Sequence, residues 1–222
     1  MSTASRAALR RKARSKRANR NNRLFYATIG SIVALFAVAV VLTAGGDDPS
    51  ARSGLRETAS VTISGEALPS FTDSGDDPAV GMAIPAISGV DFSGRAASIP
   101  DDGRAKVVMY LAHWCPHCQA EVPVVQGLID SGGLPAGVDL YSIATATDRS
   151  QPNYPPSAWL EREGWTSPVI VDDASSSAGN AAGITSYPFF VFVNEDGTVA
   201  SRMVGELSPE VLESAMADLL KP

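Results

Sequence analysis

Histidine and cysteine are scarce in this chain, two of each among 222 residues. All four lie in one stretch, His113-Trp-Cys-Pro-His-Cys118. Zinc sites usually draw on two separated ligand pairs, so a single cluster disfavours a structural metal module. Acidic residues are absent before Asp47, and no charge of either sign occurs between Arg23 and Asp47. No internal repeat is present, which excludes a repeat array.

The net charge of -6 averages two unlike regions. Residues 1–23 carry nine Lys or Arg and no acid; the remaining 9 bases against all 24 acids leave −15 elsewhere. A basic tail alone suits nucleic acid, but the apolar segment behind it points to a bilayer, and no nucleic-acid partner is expected. Leu24–Ala44, LFYATIGSIVALFAVAVVLTA, is uncharged over 21 residues. As a helix it spans about 30 Å, the thickness of a hydrocarbon core. Phe25 and Tyr26 fall at its basic end, where aromatic rings favour the headgroup layer. The basic tail reads as cytoplasmic under the positive-inside bias. Leu42-Thr-Ala44 is a poor small-x-small cleavage site, and both charged and apolar regions are long for a cleaved signal. The expectation is a single-pass signal anchor in the cell membrane, amino terminus inside, with cleavage after Ala44 as the alternative.

The chain divides into four regions: a basic tail at 1–23, a transmembrane segment at 24–44, a linker at 45–80, and a folded domain at 81–222. Residues 45–80 are rich in Gly, Ser, Asp and Pro and read as a flexible tether, with Val61–Ser64 a short strand candidate. The domain alternates strands and helices. Lys106–Leu111 is a continuous apolar run suited to a buried central strand. Val138–Ile143, Pro168–Val171 and Phe189–Val193 are further strands. Asn194-Glu-Asp-Gly197 turns the last into a hairpin with Val199–Val204. Two short strands are expected within Pro85–Ile99. Helices are expected over Pro116–Asp130, Pro156–Glu163 and from Ser208, which can cap a helix begun by Pro209. The fold class is α/β.

The cysteine stretch comes after a strand and opens a helix. Free N–H groups at a helix start, with the helix dipole, favour negative charge, and the reactive form of cysteine is the thiolate. His117 adds a donor, and positive charge when protonated. Pro116 at the first helical position gives up no needed N–H. Cys118, one turn on, can form a short disulfide or resolve a mixed one. A structural staple gains little from closing a two-residue loop. His113, Cys115, His117 and Cys118 leave copper or zinc binding, for delivery, as the alternative. Peroxidase chemistry lacks its Thr-x-x-Cys context, because Ala112 stands three before Cys115.

Ala112–Cys118 behind a hydrophobic strand resembles the active site of the thioredoxin superfamily. Pro123, five past Cys118, resembles its helix-kinking proline, Thr185-Ser-Tyr-Pro188 its cis-proline loop, and Gly197 with Gly205 its closing hairpin. The likeness covers about Gly81–Leu220. WCPHCQAEVP and Gly81–Gly94 resemble the membrane-tethered TlpA-like redoxins, whereas Pro116-His117 resembles DsbA-type oxidases. The resemblance implies a thioredoxin fold: a central mixed β-sheet flanked by helices, with an amino-terminal β-hairpin extension, here preceded by one transmembrane helix. It implies thiol–disulfide exchange at a redox-active Cys115–Cys118 pair, with Pro188 in the catalytic loop. It also implies that Trp114 shields the disulfide and that Trp114, Pro116 and Tyr187 meet the substrate. Tyr187 is bulky where relatives carry a smaller or β-branched residue. Glu121 has two open readings, a proton-handling group beside the cysteines or a solvated helix acid. Trp159 and Trp165 read as core or rim residues, and His113 as a polar edge residue. Neither organic cofactor nor metal is expected. Partners are exported clients bearing thiols or disulfides, and an unidentified membrane or extracytoplasmic redox partner.

Overall fold

The computed structural model describes residues 54–73 and 75–221. The chain forms β1 (Thr62–Ser64), β2 (Ala86–Val90), β3 (Ala96–Ser98), β4 (Ala105–Leu111), α1 (Pro116–Asp130), β5 (Val138–Ala144), α2 (Pro156–Arg162), β6 (Val169–Val171), α3 (Ser177–Ala181), β7 (Phe189–Val193), β8 (Val199–Val204) and α4 (Pro209–Asp218). The main sheet has the order β6-β5-β4-β7-β8. The β4–β5 and β5–β6 pairs are parallel, and β4–β7 and β7–β8 antiparallel. This is the mixed sheet the resemblance implies.

Every residue of β4 and β7 is buried. Strand side chains alternate between faces, so the two strands divide the core. Val107 and Met109 stand opposite Phe192 and Phe190 and pack with Val122, Val125 and Leu128 of α1 and Leu212 and Met216 of α4. Val108, Tyr110, Phe189 and Val191 point the other way, onto Ile143, Ile170, Ile87 and Leu68. Phe190 and Phe192 each lose nearly all exposure, worth about 1.5–3 kcal/mol per ring in transfer free energy. α1 thus rests on a rigid central strand, and its first turn is delivered at the end of β4.

Local chemistry sets the termini. Ser208 accepts from the Val211 N–H and Pro209 opens α4, as expected. The Asn194–Gly197 turn closes through Gly197 N–H to Asn194 O at 3.0 Å, with Gly197 at φ +80°, a conformation that glycine adopts without steric cost. α3 is not expected from sequence. Its amide groups are held by Asp172, whose carboxylate accepts from the N–H groups of Ala178 and Gly179.

The linker expectation is corrected for residues 54–80. β1 pairs with β2, and β2 with β3, in a separate three-stranded antiparallel sheet, so the expected hairpin has a third strand. Leu68 and Ala79 are buried. The Leu68 and Phe71 N–H groups donate to Ala181 O and Gly183 O, both at 2.8 Å. The composition of the stretch is that of a loop, yet its backbone donors and few apolar side chains are used against the domain. The expected membrane segment 24–44 and tail 1–23 lie outside the described residues, as does 45–53. Among the described residues, no helix is long and apolar enough to cross a membrane.

Candidate active site

Cys115 is the N-cap of α1, with extended backbone (φ −75°, ψ 120°) and Pro in the first turn. Its N–H donates to Ala112 O at 3.0 Å, and its carbonyl accepts from Gln119 N–H at 3.1 Å. No side chain caps this end of α1, so the thiol occupies the place where the helix's free N–H groups favour negative charge. Both cysteines are free thiols. Cys115 keeps 6% of its surface exposed and Cys118 none, so an incoming sulfur reaches Cys115 first.

The opposite wall comes from the turn before β7. The Tyr187–Pro188 peptide is cis, as expected of this loop, and the Cys115 thiol donates to Tyr187 O at 3.4 Å. The Tyr187 and Trp114 rings meet edge to face, with centroids 5.9 Å apart. Trp114 is locked from behind by its indole N–H to Ala146 O, at 2.8 Å.

Two buried groups behind Cys115 are shifted. Burial pushes the Cys118 thiol well above its ordinary value, and the nearby Cys115 and Glu121 charges add to the shift. Glu121 is 1% exposed, which removes the solvated-acid reading. Its carboxyl is pushed up to about 7, chiefly by burial and further by the Glu206 charge, against a lowering by the Leu207 N–H. That N–H donates to Oε2 at 3.1 Å, while Oε1 has no hydrogen-bond partner among the described residues. A carboxyl that exchanges its proton near neutral pH therefore lies within electrostatic reach of a thiol that resists ionisation.

The two histidines part company. His117 is solvent-facing, and its Nδ1–H donates to Glu206 Oε1 at 2.6 Å. His113 is not the polar edge residue expected; it is 1% exposed. Its Nδ1 lies 2.8 Å from Pro152 O, and its Nε2 lies 3.2 Å from Asp148 N. The carbonyl can only accept and the amide only donate, so the ring is neutral with the proton on Nδ1. Burial lowers its proton affinity. His113 thus staples the loop after β5 beside the motif. With its rings turned to separate neighbours, the cluster does not favour the metal alternative. Among the described residues, no group of three or more His, Cys, Asp and Glu could hold a metal ion.

Trp159 is core, 1% exposed, and Trp165 donates its indole N–H to Ser142 Oγ at 3.0 Å, so neither reaches the cysteines as a ligand platform. Glu206 and the Leu207 N–H belong to the site but carry no local sequence signal. They come directly after Gly205, whose N–H donates to Pro188 O at 2.9 Å, and only the fold brings them onto α1.

Residues 79–220 match the Redoxin family. The curated thiol-disulfide oxidoreductase ResA of Bacillus thuringiensis is 24% identical over 136 residues, 60% of this chain and 75% of that protein. A thiol:disulfide interchange protein of the thioredoxin family from Chlorobium tepidum TLS superposes with a TM-score of 0.52 at 25% identity, over 63% of this chain and 96% of that one. The thioredoxin domain of a thiol-disulfide oxidoreductase from Bacteroides vulgatus shares the fold, with a TM-score of 0.52 at 18% identity over 64% of this chain and 99% of that one. The chain belongs to the Redoxin family, as a ResA-like thiol–disulfide oxidoreductase of the thioredoxin superfamily.

Proposed function

We propose that this oxidoreductase exchanges disulfides with exported client proteins through Cys115 and Cys118, held at the outer face of the cell membrane by residues 24–44. The carrying observation is the asymmetry of the pair: a Cys115 that keeps slight exposure and faces the carbonyl before cis-Pro188, with a fully buried Cys118 behind it. The uncharged 24–44 stretch behind nine basic residues supports the anchor.

In the oxidising direction, a client thiolate attacks Cys115 Sγ of the Cys115–Cys118 disulfide. The S–S bond breaks, Cys118 leaves as thiolate, and a client–Cys115 mixed disulfide forms. Glu121 in its acid form gives Cys118 its proton, which the buried thiol then retains. A second client thiolate attacks the client sulfur and expels Cys115, whose thiolate the start of α1 stabilises. The client loses two electrons, which the Cys115–Cys118 pair gains; the client thiols release their two protons to solvent as they ionise, and one proton from solvent restores the acid form of Glu121. Reduction is the same path reversed, with Glu121 accepting the Cys118 proton. A dithiol or disulfide protein of opposite poise must then restore the starting state. His117 and Pro116 shape the Cys115 end of α1. Trp114, Tyr187 and Pro188 line the groove, where the Tyr187 backbone can pair with an extended client segment.

The test is equilibration of the full chain with glutathione buffers and trapping with a chain variant. Cys118→Ser should accumulate a mixed disulfide through Cys115, and Cys115→Ser should lose exchange altogether. Exchange that persists in Cys115→Ser overturns the mechanism. A potential near about −120 mV assigns client oxidation, and one near about −270 mV assigns client reduction. External protease that leaves the domain intact on whole cells sinks the proposed placement.

A further inference from the structure

The Pro116-His117 dipeptide does not face solvent unopposed. His117 and Glu121 stand four apart on α1, on one face of the helix. The turn Gly205–Leu207 lies along that face. Its Glu206 carboxylate accepts from His117 Nδ1–H at 2.6 Å, and the next backbone N–H, that of Leu207, donates to Glu121 Oε2 at 3.1 Å. Gly205 ties the same turn to the Pro188 carbonyl at 2.9 Å. One short segment therefore touches the intervening dipeptide, the buried carboxyl and the cis-proline loop.

We propose that Glu206 is a positioning residue of this centre: its carboxylate holds the His117 imidazole and sets negative charge against the Cys115 end of α1, making the couple less oxidising than the Pro-His dipeptide alone would. This rests on the Cys115–Cys118 pair being a reversible redox couple.

The sign comes from charge counting. With the imidazole protonated, the His117–Glu206 pair is neutral; with it unprotonated, the pair carries −1. In each protonation state the pair is one charge more negative than His117 alone. Negative charge near Cys115 disfavours its thiolate, and so disfavours the reduced form that the thiolate stabilises. The other ionisable groups facing this spot are Cys115, Cys118 and Glu121 on α1 and the Tyr187 phenol across the groove. Glu121 is the one that can mask the effect: burial lifts its carboxyl to about 7 with the Glu206 charge adding to the rise, and removing Glu206 allows Glu121 to ionise earlier. Measurement at pH 9 keeps Glu121 ionised with or without Glu206, which avoids this compensation, and lies above the ordinary range of a thiol, where the thiolate carries the effect.

The experiment equilibrates the full-length chain, Glu206→Gln and Glu206→Asp with glutathione at pH 9. Protein disulfide and two glutathione thiols are in balance with protein dithiol and one glutathione disulfide. Glu206→Gln keeps an acceptor for His117 without the charge, and should raise the dithiol-to-disulfide ratio about two- to fivefold, the range of an exposed ion pair. Glu206→Asp retains the charge and should stay nearer to the wild-type ratio. An unchanged ratio in Glu206→Gln, or an equal rise in both variants, overturns the role of Glu206 while leaving the couple intact. A wild-type chain that never equilibrates with glutathione overturns the couple itself, and this role with it.

Discussion

Glu121 shows how one buried carboxyl links chemistry to stability. Its ordinary value is 4.5, and in the fold it is held at about 7. The folded state therefore binds this proton more tightly than the unfolded chain. Between those two values, stability falls as pH rises, the reverse of a salt-bridged acid. A shift of this size corresponds to about 3 kcal/mol, fully present below pH 4.5 and lost above pH 7. Urea unfolding of reduced protein at pH 5 and pH 8 measures it. The buried neutral His113 titrates in the opposite sense, so the comparison is with Glu121→Gln: wild type should lose more stability between pH 5 and pH 8 than this variant, and equal changes in the two would contradict the assignment. The sequence pattern WCPHCQAEVP points to Glu121 through family likeness, but the Leu207 N–H that it accepts from and the Glu206 charge that acts on it lie 86 and 85 positions along the chain. The burial of His113 is hidden from the sequence for the same reason: the groups that enclose it, Pro152 and Asp148, belong to a loop whose path no local pattern reveals.

At the scale of elements, periodicity makes the strands and longer helices legible. Lys106–Leu111 and Phe189–Val193 are apolar runs, as strands covered on both faces must be, and the Pro residues at 116, 156 and 209 mark helix starts. α3, SAGNA, offers neither length nor an apolar stripe, and its nominal cap Ser176 has left-handed backbone (φ 56°) and no side-chain capping bond. Its stability comes from Asp172, buried at the end of β6. That carboxylate accepts from Thr145 Oγ1 at 2.7 Å and from the N–H groups of Asp173, Ala178 and Gly179 at 2.8–3.1 Å. Asp172→Ala leaves buried amides without acceptors, at a cost of about 3 kcal/mol. The expected signature is local as well as global: a lower urea midpoint, and loss of hydrogen-exchange protection at Ala178 and Gly179. Protection that survives the substitution would show that tertiary packing alone holds α3.

At the scale of the whole domain, the segment before residue 81 is the largest departure from sequence expectation. Gly, Ser, Asp and Pro make 54–80 resemble a tether, because composition reports local preference and not the partners a chain finds. The partner here is Arg202 on β8, 5% exposed. Its Nη2 and Nε meet both Asp77 oxygens at 2.5 and 2.8 Å, and Nη1 donates to Pro69 O and Ala182 O at 2.8 and 2.9 Å. The guanidinium also lies 5.5 Å from the Phe71 ring centroid and 5.9 Å from that of Phe189. A bidentate carboxylate, two carbonyls and two aromatic rings compensate a charge that water no longer solvates. Gly183 permits this close approach: at φ +68°, any Cβ there would lie 2.2 Å from Pro69 O. The family match begins at residue 79, so a chain cut to begin there retains Arg202 and loses Asp77, Pro69 and Phe71. Breaking a buried ion pair from one side costs about 3–5 kcal/mol, and exposure of Ile87 and Phe189 beneath Leu68 and Phe71 adds to it. A chain beginning at residue 79 should therefore unfold at a clearly lower urea concentration than one beginning at residue 54. Arg202→Met in the truncated chain should recover part of the loss by removing the stranded charge. Equal stability of the two chains would return 54–80 to the status of a tether.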